Sequence, residues 1–179
     1  MWYCDILFIG SGQPPKREKP IANLTELLII KVREEELQKM ETKYGKYIIT
    51  GMKPDVNLPS WRLERKPTDA STRFLWLDDD VIKGAFYVEC VWYWKGSEQS
   101  IVEAHTHPFD EVITFFGTNP EDPQDLCGEV ELWLDDEKHI LTKSSLIFVP
   151  KGLKHCPLII RRVDRPIFHF TTGPGGKYS

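Results

Sequence analysis

Short runs of β-branched and aromatic residues, separated by Gly, Pro, Asn and Asp, make up most of the chain from Tyr44 onward. Such runs, bounded by residues that favour turns, are typical of strands. About nine strands at this spacing, with no helical spacers between them, predict an antiparallel β-sandwich or barrel. The runs are residues 46–51, 72–78, 84–96, 101–107, 111–117, 128–150, 156–163 and 166–173.

The segment 129–134 shows the alternation of a half-buried strand. Val130 and Leu132 lie two residues apart between more polar neighbours, which places both side chains on one face of a strand. The pair Asp135-Asp136 then interrupts the pattern before it resumes. Because aspartate favours tight turns, this pair predicts a hairpin.

The first 43 residues differ from the rest and predict an N-terminal extension. Residues 11–20, SGQPPKREKP, combine prolines with charges, a composition that favours an extended linker. Asn23 then stands three residues before Glu26, ahead of a run of helix formers, and this pattern predicts one short helix. The chain is therefore divided into an extension, residues 1–43, and a single domain, residues 44–179.

The net charge argues against some classes of binding partner, and the spacing of the cysteines indicates the redox compartment. The formal net charge is −4 and the isoelectric point is about 5.8, whereas nucleic-acid binding normally requires a basic patch. No apolar run approaches the roughly 20 residues that cross a bilayer. The four cysteines show no CxxC spacing, which suits a reducing compartment. We expect a cytoplasmic protein that binds neither nucleic acid nor membrane.

Two histidines and a glutamate form the first part of a candidate site. His105 and His107 are two residues apart, so on a strand their imidazoles share one side. A turn at residues 108–110 would return the carboxylate of Glu111 beside them. Imidazole nitrogen and carboxylate oxygen suit Fe, Mn, Ni, Co or Zn. Histidines near a turn are also often simply solvated, and this segment alone leaves both interpretations open.

A second segment, PKGLKH at residues 150–155, supplies a third histidine. Pro150 ends an apolar strand, and Gly152 allows backbone angles that other residues resist. The turn delivers His155 to the next strand. On opposite sides of a small barrel, the two segments would make one closed ligand set. The alternative is a routine hairpin with a histidine on the surface.

Together the two segments resemble the two motifs of the cupin superfamily. The first motif contains HxHxxxE followed shortly by Gly, and it is matched here by His105, His107 and Glu111. The second contains PxGxxH, which residues 150–155 match in the same order along the chain. The resemblance covers residues 80 to 172. The chain looks like the small single-domain cupins of bacteria whose substrates are not established.

The resemblance implies an all-β fold, a cupin-type jelly-roll β-barrel, following the N-terminal extension. It also implies a bound divalent transition metal, one of Fe, Mn, Ni, Co or Zn, with one or two coordination sites left open. The sequence departs from the second motif at Ser144, where Gly is usual, but no implied ligand is affected. The implied ligands are His105, His107, Glu111 and His155.

An aromatic stripe around residues 86–94 forms a second candidate site. Tyr87, Glu89 and Tyr93 share one face of the predicted strand. A carboxylate and two phenols on one face could line a pocket that holds a polar ligand. Core packing is the more common reason for such aromatic density, and it stays open as the alternative.

Two residues close to the motifs are expected to have no direct role. His169 lies on a late strand, where a histidine more often packs against neighbouring side chains than binds a metal. Cys156 directly follows His155. Because adjacent strand residues alternate between faces, the thiol of Cys156 is predicted to point away from the site.

These features favour a metal-dependent enzyme that acts on a small polar molecule, of dioxygenase, isomerase or lyase type. A metal with open positions can bind an oxygen-containing substrate and stabilise the charge that develops on it. Two alternatives stay open: a cupin that binds a small molecule without turnover, and a barrel that the metal only braces. The aromatic strands also offer area for a homodimer.

Overall fold

The computed structural model describes residues 42–53 and 69–176. Backbone contacts divide the chain between Lys46 and Tyr47, and the strands described below all belong to the second unit. The predicted N-terminal helix lies outside the described residues, as does the extension up to position 41. Within the described ranges, no helix has the length and apolarity of a membrane span.

Eight strands account for about half of the described residues. The predicted strand at residues 46–51 is wrong, because Gly45–Tyr47 forms a 3₁₀ turn and no strand follows it directly. Tyr47 and Ile48 are exposed there, and β-propensity stabilises a strand only on a paired, packed surface. The strands are β1 Ser71–Leu77, β2 Tyr87–Tyr93, β3 Glu111–Phe115, β4 Asp125–Leu134, β5 Glu137–Lys143, β6 Ser145–Val149, β7 His155–Val163 and β8 Ile167–Gly173.

The strands form two antiparallel sheets with the orders β1-β2-β8-β3-β6 and β5-β4-β7. The last strand, β8, lies at the centre of the larger sheet between β2 and β3, and β4 pairs with both β5 and β7. Strands distant in the chain are therefore neighbours in space, as the crossing connections of a jelly roll require. The predicted all-β jelly-roll class is confirmed.

The core lies between the inward faces of the two sheets. In β2 and β8 every second residue is buried, which is the alternation expected of a sheet with one face in the core. Val130 and Leu132 of β4 share one buried cluster with Ile113 and Phe115 of β3. Burial of these apolar side chains supplies the main driving force for closing the sheets together.

The predicted hairpin at Asp135-Asp136 is confirmed. Leu134 pairs with Glu137 across the turn. The φ angle of Asp135 is 52°, in the left-handed region that Asp tolerates better than most residues.

The segment 101–107 is not the continuous strand that was predicted. It pairs with β7 at two isolated bridges, Val102 with Leu158 and His105 with His155. Pro157 lies between the two bridging residues of β7 and has no amide hydrogen to donate, so it interrupts the ladder.

Candidate metal centre

His105 and His155, one from each motif, face each other across an antiparallel bridge. The amide of each residue donates a hydrogen bond to the carbonyl of the other, at 3.0 Å in both directions. Directly opposed residues of such a pair project their side chains to the same face. The centroids of the two imidazoles consequently lie 4.2 Å apart.

The turns of the two motifs are also joined by hydrogen bonds. The amide of Gly152 donates to the carbonyl of His107 at 3.1 Å, and the amide of Lys151 donates to Asp110 Oδ1 at 2.8 Å. Gly152 has a φ of 79°, as predicted from its freedom to adopt such angles. Asp110 is exposed, so its carboxylate holds the second turn in place and does not reach into the site.

All three motif histidines are oriented in the same way by the backbone. Each Nδ1 lies within hydrogen-bonding distance of a carbonyl two residues away: 2.8 Å for His105, 2.9 Å for His107 and 3.0 Å for His155. A carbonyl oxygen only accepts, so each Nδ1 carries a proton and donates it. In the neutral ring the lone pair is then on Nε2, the nitrogen that binds a metal.

Glu111, the first residue of β3, provides a buried carboxylate between these rings. Its Oε2 lies 3.0 Å from His107 Nε2, and its Oε1 accepts a hydrogen bond of 2.6 Å from the Thr171 hydroxyl. Oε2 also lies 3.2 Å from His155 Nε2, without hydrogen-bonding geometry. The carboxylate is therefore held on both sides and faces two imidazoles.

Burial and the neighbouring charges determine the protonation states. Burial raises the pKa of Glu111, but the neighbouring imidazoles of His107 and His155 and the hydroxyl of Thr171 outweigh it and hold that pKa well below its usual range. Burial lowers the pKa of His107, yet the hydrogen bond and charge of Glu111 prevail and raise it. Burial also lowers the pKa of His105 to about 4. Glu111 thus favours the charged form of His107, whereas burial disfavours the charged form of His105.

The donor atoms fall into groups with the spacing of a metal site. His107, Glu111 and His155 each offer one ligand atom, and these atoms lie within 4.8 Å of one another. His155 Nε2 is fully buried and has no hydrogen-bond partner among the described residues. An imidazole-rich set with one carboxylate fits Fe, Mn, Ni, Co or Zn. The residues present fit the metal that the motifs imply.

The cavity beside the cluster is small. It has a volume of about 20 Å³, which is room for about one water-sized group. Aliphatic side chains of Val102, Ile113 and Leu158 form part of its wall. Apolar packing therefore extends close to the candidate ligands.

The prediction that the thiol of Cys156 points away from the site is wrong, because Cys156 lines the same cavity as His155. Strand alternation should have turned its thiol to the opposite face. Instead the φ of Cys156 is 68°, far from the extended backbone on which alternation depends. The thiol sulfur, a His105 nitrogen and a His155 nitrogen lie within 4.8 Å of one another as a second group of potential ligands.

His169 is buried and packed, as expected from its position on a late strand. Its Nδ1 donates a hydrogen bond of 2.7 Å to the carbonyl of Thr114, and its ring stacks on Phe115 with the centroids 4.8 Å apart. The residue also lines the cavity beside the cluster, which its sequence position did not indicate.

The predicted pocket residues are divided between two places. Tyr87 and Glu89 are buried on the inward face, where the Tyr87 hydroxyl donates to Glu89 Oε2 at 2.7 Å. Arg73 Nε donates to the other carboxylate oxygen at 2.5 Å. Tyr93 lines a different cavity of about 310 Å³, together with Lys95. The structure thus pairs Tyr87 with Glu89 and places Tyr93 at a larger opening.

The similarity of this chain to known proteins is confined to solved structures of low identity. No protein-family description and no curated protein matches the chain. An RmlC-like cupin from Shewanella frigidimarina is 18% identical over 59% of this chain and 75% of that one, with a TM-score of 0.36. A cupin superfamily protein from Desulfitobacterium hafniense is 15% identical over 70% and 96%, with a TM-score of 0.41.

A third similar structure is an oxalate oxidase in complex with glycolate. It is 12% identical over 74% of this chain and 76% of that one, with a TM-score of 0.43. Identities this low say nothing about substrate. The fold is identified by the strand order and by the place where the two motifs meet.

Proposed function

We propose that this chain is a cupin, that it binds one divalent transition metal at its buried cluster of three histidines and a glutamate, and that it acts on a small polar molecule. The observation that carries the proposal is the buried, unpartnered Nε2 of His155. A polar atom in that state costs free energy, and coordination would satisfy it. The proposed ligands are His105, His107, Glu111 and His155.

When bound, the ion would polarise an oxygen-containing substrate and stabilise the charge that develops on it. The protein residues prepare the site for this. The carbonyl partners of the three Nδ1 atoms orient the rings, and Thr171 holds the carboxylate of Glu111. The surrounding apolar wall excludes water, which strengthens every electrostatic interaction inside.

A small polar substrate is supported by the cavity that Tyr93 lines. Its volume of about 310 Å³ is within the range of small-molecule sites. Lys95, Ser97 and Ser100 contribute polar groups to the wall. The Tyr93 ring lies 5.7 Å from the ring of His169, a residue that lines the cavity of the cluster. We propose an enzyme of dioxygenase, isomerase or lyase type.

One observation favours a second candidate, in which the metal only braces the barrel. The cavity at the cluster holds about 20 Å³ and is walled in part by Val102, Ile113 and Leu158. A structural site closes its coordination sphere, whereas a catalytic site keeps a position open. The two candidates therefore differ in whether an added ligand can reach the bound metal.

Elemental analysis by mass spectrometry tests the metal. Protein purified without an affinity tag or chelator should contain close to one equivalent of Fe, Mn, Ni, Co or Zn. The double variant His105→Ala/His155→Ala should contain little. A parent chain that stays free of metal even after reconstitution would refute the proposal.

The open position is tested on the cobalt form. Addition of azide should change the visible absorption of bound Co²⁺ if a coordination site is open, as the enzyme proposal requires. An unchanged spectrum at saturating azide would favour the braced barrel. The metal that copurifies then directs the substrate search.

A further inference from the structure

Cys156 places a thiol on the inner side of the barrel directly after His155. It is 3% exposed, and its φ of 68° turns the side chain to the side that His155 also faces. Its sulfur, a nitrogen of His105 and a nitrogen of His155 all lie within 4.8 Å of one another. His155, whose Nε2 is buried and has no hydrogen-bond partner among the described residues, belongs to this group as well as to the group with Glu111.

We propose that the thiolate of Cys156 is an additional ligand of the metal ion, on the side of His105 and His155. This inference rests on the proposed function and extends it. On binding, the thiol proton leaves to solvent and a sulfur–metal bond forms, with no change of oxidation state. Sulfur is a soft donor, so the site selects Zn²⁺, Co²⁺ or Ni²⁺ over Mn²⁺.

Charge balance in the buried site supports this ligand. The neutral imidazoles and the Glu111 carboxylate leave a divalent ion with one uncompensated positive charge. Burial of a net charge is costly. A thiolate from Cys156 brings the total to zero in a site whose carboxylate is 1% exposed. A thiolate at this position therefore neutralises the remaining positive charge of the ion, which buried surroundings shield from solvent.

Cobalt substitution tests Cys156 by a signal that does not depend on activity. Wild-type protein loaded with Co²⁺ should show a near-ultraviolet sulfur-to-cobalt charge-transfer band beside the visible bands. Cys156→Ser and Cys156→Ala should lose the charge-transfer band and keep the visible ones. Cys90→Ser, a half-buried cysteine on the outward face of β2, is the matched control and should retain both.

The outcomes separate this inference from the proposed function. Cobalt uptake without the charge-transfer band in wild type, or a band that persists in both Cys156 variants, would overturn the thiolate ligand alone. No cobalt uptake by wild type would overturn the metal site itself. Circular dichroism of each variant verifies that the barrel is intact.

Discussion

Thr171 donates a hydrogen bond of 2.6 Å to Oε1 of Glu111 from the neighbouring strand β8. Both residues are buried, and His107 lies against the other carboxylate oxygen. A carboxylate held on both oxygens keeps one orientation. Thr171 thus positions a proposed ligand without being one itself, and such outer partners strongly influence metal affinity.

Replacement of Thr171 by Val removes that hydroxyl at nearly constant volume. We expect the affinity for Zn²⁺ to fall by roughly 10- to 100-fold, the usual effect of losing an outer hydrogen bond. Calorimetric titration of the metal-free protein measures it. Thr172→Val, which loses a hydroxyl bonded to the Tyr87 carbonyl, is the control. Equal affinities of the two variants for Zn²⁺ would show that the hydrogen bond from Thr171 to Glu111 does not contribute to metal binding.

Glu111→Gln preserves the shape of the side chain and removes its charge. We expect the purified variant to retain roughly one tenth of the metal of wild type or less, because a neutral amide is a poorer ligand than a carboxylate. The pKa of His107 should also fall, since Glu111 is what raises it. Elemental analysis and an NMR titration of the imidazole measure the two effects. Undiminished metal content would remove Glu111 from the ligand set.

Metal should stabilise the fold by mass action. An ion that binds only the folded chain, at 100 times its dissociation constant, adds about 2.7 kcal/mol to the free energy of unfolding. We expect a clear rise in Tm on addition of Zn²⁺ to the metal-free protein. The variant His105→Ala/His155→Ala should show none. A comparable rise in that variant would place the stabilising ion elsewhere.

Asp78 should make stability depend on pH, away from the metal site. Burial raises its pKa, but hydrogen bonds from Trp76, Lys53 and the backbone outweigh burial and lower the pKa below 3.8. A carboxyl group with a lowered folded pKa stabilises the fold above its unfolded pKa, and this stability is lost as the pH falls through the folded value.

Urea unfolding from about pH 6 down to about pH 2 tests this linkage. The unfolding midpoint of wild type should decline as the pH falls below 3.8. Asp78→Asn should have a lower midpoint near neutral pH and a shallower decline. Asp136→Asn, in the exposed hairpin turn, should follow the wild-type curve. An unchanged slope in Asp78→Asn would assign the acid sensitivity to other carboxyl groups.

Much of what could be predicted about the strands, the hairpin and the site came from the spacing of residues close together in the chain. The spacing of His105 and His107 predicted that their side chains share one side. The pair Asp135-Asp136 after an alternating run predicted a hairpin turn. Both predictions concern residues only a few positions apart. The same logic failed at Tyr47 and Ile48, where strand formers find no packed surface. It failed again at Cys156, where a φ of 68° breaks the alternation on which the assignment of faces depends.

The sequence by itself determined the all-β class and the residue types that suit a metal, because both follow from periodicity and side-chain chemistry. The tertiary structure alone decided which groups meet. The bridge between His105 and His155 and the hydrogen bond from Thr171 to Glu111 join residues distant in the chain. Those contacts depend on the register of strands closed around a common core, and register is set by the packing of the whole barrel rather than by any one segment.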